Sequence, residues 1–134
     1  MSIVTVGTQV PGFSRTFTRA DLVRYAGAST DFNPIHWSDS AAARLGLPGV
    51  IAHGMLTMGT ALRVVTDWVG DPARVLSYAV RFTRPVVVDE TDGGTVTFSG
   101  VVTAVEGDRA TVTIEALHNG VKVLGSAIAE VRLG

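Results

Sequence analysis

Asp31 and His36 set a carboxylate and an imidazole five positions apart, with Asn33-Pro34 between them. Proline has a fixed φ and no N–H, so it cannot continue a helix, and it holds the residue before it extended. An Asx residue in that place secures a turn by bonding nearby backbone. The chain must therefore bend between Asp31 and His36, and both side chains can face one spot. That is the geometry general acid–base chemistry requires; the structural alternative is a capping Asp and a loop-satisfied His. A second centre is His53-Gly54, where a long apolar run begins. The first N–H groups of a helix lack intrahelical partners and carry the positive end of its dipole. A glycine there exposes its N–H with no Cβ in the way, which suits an oxyanion. The same glycine also serves a tight entry into a buried helix. Asp31, His36 and His53 together could be read as a two-His-one-carboxylate metal set, but a helix N-terminus is a poor neighbour for a dication, and no metal is expected. Asn33 is expected to hold the turn and His53 to pack or bond the loop. Thr57 and Thr60 stand within two turns of Gly54 as possible hydroxyls. His118, beside a hairpin tip, is expected to be solvated.

The elements that must position these groups follow from pattern. Ile3 to Val6 is a short β-branched run, Pro11-Gly12 reads as a turn, and Phe13 to Phe17 as a short strand. Thr18-Arg19-Ala20-Asp21 resembles a capping box that opens a helix ending near Gly27. Ser38-Asp39 caps a short helix through Leu45, stopped by Gly46 and Pro48. From Met55 to Val69 the chain is apolar on nearly every face, so a continuous buried helix is expected, with Gly59 and Ala61 allowing strands to approach. After Arg74 the period changes to two. Strands are expected over Leu76–Phe82, continuing through Pro85–Val88, then over Thr95–Val105, Ala110–His118 and Val121–Leu133, with Asn119-Gly120 as a hairpin turn. One helix followed by a meander long enough to wrap it gives an α+β fold: a long central helix in a curved antiparallel sheet.

The 134 residues are read as one domain, 1–134. A net charge of −1 with no basic run argues against nucleic acid. The absence of cysteine removes disulfides and thiolate catalysis and suits a cytoplasmic protein. The N-terminus has no charged segment followed by an apolar one, and no apolar run reaches about 18 residues, so neither a signal peptide nor a membrane span is expected. A 46% hydrophobic content and a mean hydropathy of +0.34 are high for so small a chain, which suggests apolar surface against a partner or a lipophilic tunnel.

The run Tyr25-Ala26-Gly27-Ala28-Ser29-Thr30-Asp31-Phe32-Asn33-Pro34-Ile35-His36, followed by Ala41 and by Ile51-Ala52-His53-Gly54-Met55-Leu56, resembles the MaoC-like (R)-specific enoyl-thioester hydratases. The likeness extends from about Phe17 to the C-terminus. It is near the catalytic subunit of the (3R)-hydroxyacyl-ACP dehydratases of mycolic-acid synthesis. It implies a hot-dog fold and hydration of trans-2-enoyl thioesters, or the reverse dehydration of (3R)-3-hydroxyacyl thioesters, carried on CoA or ACP in fatty-acid-type metabolism. In that reading Asp31 and His36 are catalytic and the Gly54 N–H stabilises the oxyanion. Asn33, His53, Met55 and Thr57 support them, with an acyl-chain lining as a secondary role for Met55, Met58 and Leu62. No cofactor is expected, because the thioester is its own electron sink. Thr30 stands where many members have glycine, and Leu62 where some have serine. The resemblance further implies a homodimer, or a heterodimer with a second hot-dog subunit. The alternatives are a non-catalytic or partner-dependent subunit, or a hot-dog thioesterase. The thioesterase would need a carboxylate near the central helix, where only Asp67 stands, at the far end from Gly54.

Overall fold

Alternating burial builds a single antiparallel sheet. In the computed structural model, which describes residues 3–134, the strands are β1 (Gln9–Phe17), β2 (Val75–Phe82), β3 (Gly94–Glu106), β4 (Arg109–His118), β5 (Val121–Lys122) and β6 (Leu124–Arg132). Their order is β1-β3-β4-β6-β2, with the short β5 paired to β4. Met1 and Ser2, the first residues of the span read as one domain, lie outside the described residues. Along β3, Gly94, Val96, Phe98, Gly100 and Val102 are buried at every second position, as a half-buried strand requires. Asn119 and Gly120 both take positive φ (52° and 76°), the conformation a two-residue hairpin turn with matching twist needs.

Helices α1 (Arg19–Ser29), α2 (Asp39–Arg44), α3 (Gly54–Ala61) and α4 (Arg63–Val69) precede β2, with 3₁₀ turns at Pro34–His36 and Pro72–Arg74. Ala61, Val64 and Val65 from α3 and α4 share one core with Phe98, Val102 and Val112 of the sheet. Each fully buried Val or Phe is worth about 1.5–3 kcal/mol, so this contact is the main force holding helix to sheet. The result is the hot-dog layout, a helix against one antiparallel sheet whose edges, β1 and β2, stay open.

Several expectations are corrected. The central helix is not continuous: it breaks at Leu62 into α3 and α4. The Thr60 hydroxyl donates to the Leu56 carbonyl (2.7 Å), a back-bond that bends helices, and the Met58 carbonyl accepts from both the Tyr78 hydroxyl (2.8 Å) and the Leu62 N–H (3.3 Å). Nor is the helix covered all round, since Met55 is 59% exposed and the Cα of Gly59 faces open space, leaving Ala61 alone to close on the core. Pro11-Gly12 is no turn: β1 runs through it as a bulge between Val10 and Phe13, and Ile3 to Val6 forms no strand. A Cβ on Gly12 would collide with the Phe98 carbonyl, so glycine is required at that crossing.

The last correction bears on function. Residues 85–88 do not prolong β2, because Pro85 has no N–H to offer the ladder. They leave the sheet and clamp residues 50–52 through Ala52 N–H to Val86 O and Val88 N–H to Val50 O, both 2.9 Å. Likewise the expected strand Val121–Leu133 breaks at Val123, between β5 and β6, where its carbonyl accepts the Thr83 N–H (3.1 Å). No helix among the described residues is long and apolar enough to cross a membrane.

Candidate active site

The site begins where α1 ends. Thr18 and Asp21 close a capping box, side chain to backbone in both directions, and start the helix. It runs to Ser29 and is capped by Thr30 in the left-handed region, φ 63° and ψ 14°. A β-branched residue there carries a Cβ clash of about 1–2 kcal/mol. Thr30→Gly is therefore expected to stabilise the protein by up to ~1 kcal/mol, after glycine's own entropy cost of ~0.5–1 kcal/mol. Thermal unfolding checks this. A lower melting temperature would mean that the Thr30 hydroxyl bond to Ser29 O (2.6 Å) outweighs the strain.

Beyond Thr30 the chain bends as Asn33-Pro34 dictates. Asn33 is extended (φ −53°, ψ 124°), and its side-chain oxygen accepts the Ile35 N–H (3.2 Å) to open the 3₁₀ turn that carries His36. Asp31 Oδ1 accepts the Asn33 N–H (3.2 Å), so its other oxygen is left for the site. That oxygen, Oδ2, stands 3.7 Å from His36 Nε2. The gap is too long for a direct hydrogen bond and suits one water touching both groups.

Backbone carbonyls fix the tautomers of both imidazoles. His36 is 6% exposed, and its Nδ1–H donates to Ile51 O (2.7 Å), so Nε2 is the nitrogen that faces Asp31. His53 is 1% exposed, and its Nε2–H donates to Asp31 O (3.1 Å), leaving a buried Nδ1 without a partner. The two rings stack, with centroids 3.7 Å apart and planes 18° from parallel, and Tyr25 meets His53 edge-on at 4.8 Å. Asp31, His36 and His53 do place ligand atoms within 4.8 Å of one another. Stacked rings, however, direct their lone pairs along nearly parallel planes that do not converge on one ion. The donor set fits a metal poorly.

Burial lowers the pKa of His53 below that of an ordinary histidine. Unfolded His53 binds a proton below about pH 6.5 while folded His53 resists it, so unfolding takes up a proton and stability falls as pH drops through that window. The slope approaches about 1.4 kcal/mol per pH unit. Asp21, Asp39 and Asp89 have pKa values lowered chiefly by backbone N–H donors. Their stability is present above the usual carboxylate value and is lost below about pH 4. Urea unfolding of wild type and His53→Phe from pH 7.5 to 5 separates the two windows: wild type should weaken more steeply, and equal slopes would exclude His53 as the cause.

The clamp of residues 50–52 orients everything else. Asp39 Oδ1 accepts the Val50 N–H (3.1 Å), Ile51 N–H donates to Ile35 O (3.1 Å), and Ile51 O orients His36. His53 then caps α3, and its carbonyl accepts from the N–H groups of Leu56 and Thr57. Among the described residues no backbone acceptor takes the Gly54 N–H. A Cβ at Gly54 would stand 3.0–3.2 Å from the Phe82 ring. Asp31, His36, Gly54, Met55 and Thr57 line one cavity of about 470 Å³, largely apolar toward Ile51, Phe82 and Leu124. Its apolar wall suits a carbon chain and its polar corner suits acid–base chemistry.

Asn33 lies on the turn behind this cavity, and Met58 and Leu62 do not line it, so of the apolar stripe only Met55 reaches the site. His118 is not solvated: it is 9% exposed and donates from Nδ1 to Thr95 O (2.8 Å), because β4 turns its side chain inward. Phe82, Arg84, Val123 and Leu124 line the cavity without having been singled out. Pro85 was the one local signal that the chain leaves the sheet beside them.

A carboxylate–imidazole pair and a helix-start glycine thus line one largely apolar cavity on a helix-in-sheet fold. The MaoC like domain family matches residues 4–121, and the chain belongs to it. Among curated relatives it is similar to the 3-hydroxyacyl-thioester dehydratase X of Mycobacterium tuberculosis, 42% identical over 76 residues, covering 57% of this chain and 26% of that protein. It is also similar to the (R)-specific enoyl-CoA hydratase of Rhodospirillum rubrum, 33% identical over 95 residues, covering 70% of this chain and 66% of that one. Among solved structures, a MaoC-like dehydratase superposes with a TM-score of 0.95 at 40% identity over 98% of this chain and 41% of its own. A chain of the ChsH1–ChsH2 complex of Mycobacterium tuberculosis gives 0.85 at 27% identity, with 100% of both chains covered. The chain thus spans about a quarter and about two thirds of the length of the two curated relatives.

Proposed function

We propose that this chain catalyses reversible, (R)-specific addition of water to trans-2-enoyl thioesters of CoA or ACP, a hydro-lyase activity in fatty-acid-type metabolism in the cytoplasm. The observation that carries this reading is the 3.7 Å gap between Asp31 Oδ2 and His36 Nε2 beside the unpartnered Gly54 N–H. A water held between the two groups attacks C3, the C2=C3 π electrons move toward the thioester, and charge develops on its oxygen. The Gly54 N–H at the positive end of α3 stabilises that charge. The pair takes one proton from water and returns one to C2, so it ends each turnover as it began. His53 acts as a positioning residue, holding the Asp31 carbonyl by hydrogen bond and the His36 ring by stacking. Asn33 holds the turn, Thr57 offers a hydroxyl at the cavity wall, and Met55 lines the acyl path. Purified protein with crotonyl-CoA tests the reading: enoyl absorbance should fall without release of free thiol, and chiral analysis should find the (R) product. Thiol release would instead indicate a thioesterase, for which Asp67 is poorly placed, since it pairs with Arg63 at 3.3 Å away from the cavity. Mainly (S) product would sink the assignment.

The active species in this reading is a dimer. The open edge of β2, the exposed side chains of Leu76, Phe82 and Ile128, and the uncovered Met55–Gly59 face of α3 give a second hot-dog chain a surface to cover. A second copy is the simplest closed assembly; the ChsH1–ChsH2 complex is the precedent for two different chains. Light scattering across a dilution series should give a mass near 28 kDa (twice 14.0 kDa) with activity. An inactive chain rescued by a co-expressed partner would favour the heterodimer, and a fully active monomer would refute both.

A further inference from the structure

A second cavity of about 380 Å³ adjoins the first, and Arg84, Pro85 and Val123 line both. Beyond that shared ridge the second groove is lined by His118 and Asn119 as well as by Val87 and Val121. The ridge is held in place. Thr83 N–H donates to Val123 O (3.1 Å), the Thr83 hydroxyl donates to Lys122 O (2.9 Å), and Pro85 keeps Arg84 extended. Gly125 lets this segment approach, since a Cβ there would stand 2.8 Å from the Thr83 methyl.

Charge distinguishes the two ends. Among the described residues neither Arg84 nor Arg81 forms an ion pair, and Lys122 meets only Glu115, at 3.7 Å. Asp31 is the one acid in either lining. Arg84 is thus the one cationic chain shared by both linings, at the junction with a cavity whose wall is largely apolar. His118 has given its Nδ1–H to Thr95 O, so Nε2 is the nitrogen left for a ligand in the groove.

An acyl thioester has two unlike ends: a carbon chain on the carbonyl side, and on the sulfur side an amide-bearing pantetheine arm that ends in a phosphate, whether the carrier is CoA or a protein. We propose that the groove past Arg84 holds the carrier arm and that Arg84 anchors its phosphate, with His118 and Asn119 bonding the amides. This rests on the thioester reading above. A planar guanidinium without an ion-pair partner is well suited to a phosphate monoester or diester. The competing occupant is a carboxylate at the far end of the acyl chain.

Calorimetric binding separates the cases without relying on turnover. The ligands are CoA, 4′-phosphopantetheine and pantetheine, with wild type, Arg84→Gln and Arg84→Lys. Wild type should bind phosphopantetheine at least about tenfold more tightly than pantetheine. Arg84→Gln should abolish that difference, Arg84→Lys should keep part of it, and the wild-type difference should shrink as salt is raised. CoA binding as phosphopantetheine does supports the proposal for a protein-borne arm; tighter CoA binding supports it with the nucleotide as a further contact. Equal wild-type affinity for the two arms, with or without phosphate, overturns it, as does an Arg84→Gln loss that is the same for both. Preserved discrimination with no turnover of crotonyl-CoA would mean that the catalytic reading fails while the groove stands.

Discussion

Asp31→Asn and His36→Gln will each slow hydration of crotonyl-CoA by about 10²–10⁴-fold, the range that one general acid–base group supplies. Asp31→Asn is a clean deletion, because the backbone carbonyl of Asp31, not its side chain, holds His53. Asparagine can still accept the Asn33 N–H that shapes the loop. In His36→Gln the amide can donate to Ile51 O, but the nitrogen that faces Asp31 is gone, and so is the stack on His53. In the proposed mechanism the two groups act on one water, so their losses should not add: the double variant should lose about as much as the worse single one. Steady-state rates together with thermal unfolding check this. A folded single variant that keeps near-wild-type turnover would remove that residue from the mechanism.

The second large effect is expected at Gly54, where two substitutions divide shape from chemistry. Gly54→Ala keeps the N–H and adds a Cβ against Phe82, an exposed ring that can swing away, so a loss of a few-fold is expected. Gly54→Pro deletes the N–H at the first helical position, where proline is well tolerated. His53, at φ −60° and ψ 131°, already has the conformation that a residue before proline prefers. Turnover should fall by about 10²–10³-fold, the cost of one oxyanion donor, while KM moves little. Comparison of kcat between the two variants is the measurement. Equal rates in Gly54→Ala and Gly54→Pro would show that the N–H is not used.

What was legible in the sequence is what short-range chemistry decides. The Asn33-Pro34 bend, the Thr18–Asp21 box and the Asn119-Gly120 turn each depend on residues within a few positions, and each stands as read. The period-two burial of β3 and β4 was legible for the same reason. The break at Leu62 was not, because it depends on Tyr78 arriving from β2 to share the Met58 carbonyl. The departure of residues 85–88 from the sheet depends on Val50 and Ala52, more than thirty positions earlier. At the site, type, spacing and the family resemblance together pointed to Asp31, His36 and Gly54, which line one cavity. The stacking of His53 on His36, the burial of His118 and the place of Arg84 depend on how the sheet folds over, and no local pattern encodes that.

The clamp between residues 50–52 and 86–88 has a bearing on how the protein opens. Strands β3 and β4 are joined over nine paired positions, whereas the clamp has two backbone bonds, the Asp39 contact to Val50 and the bonds of Ile51 to Ile35 and His36. Cooperative units in a protein open independently when few bonds tie them to the rest. Here the small unit carries the carbonyl that orients His36 and leads directly into the start of α3. Its hydrogen bonds are few, but Val50, Ala52, Val86 and Val88 are buried in the common core, so opening it exposes core surface, and a ligand that braces it from the cavity side adds its binding free energy to the stability of that core.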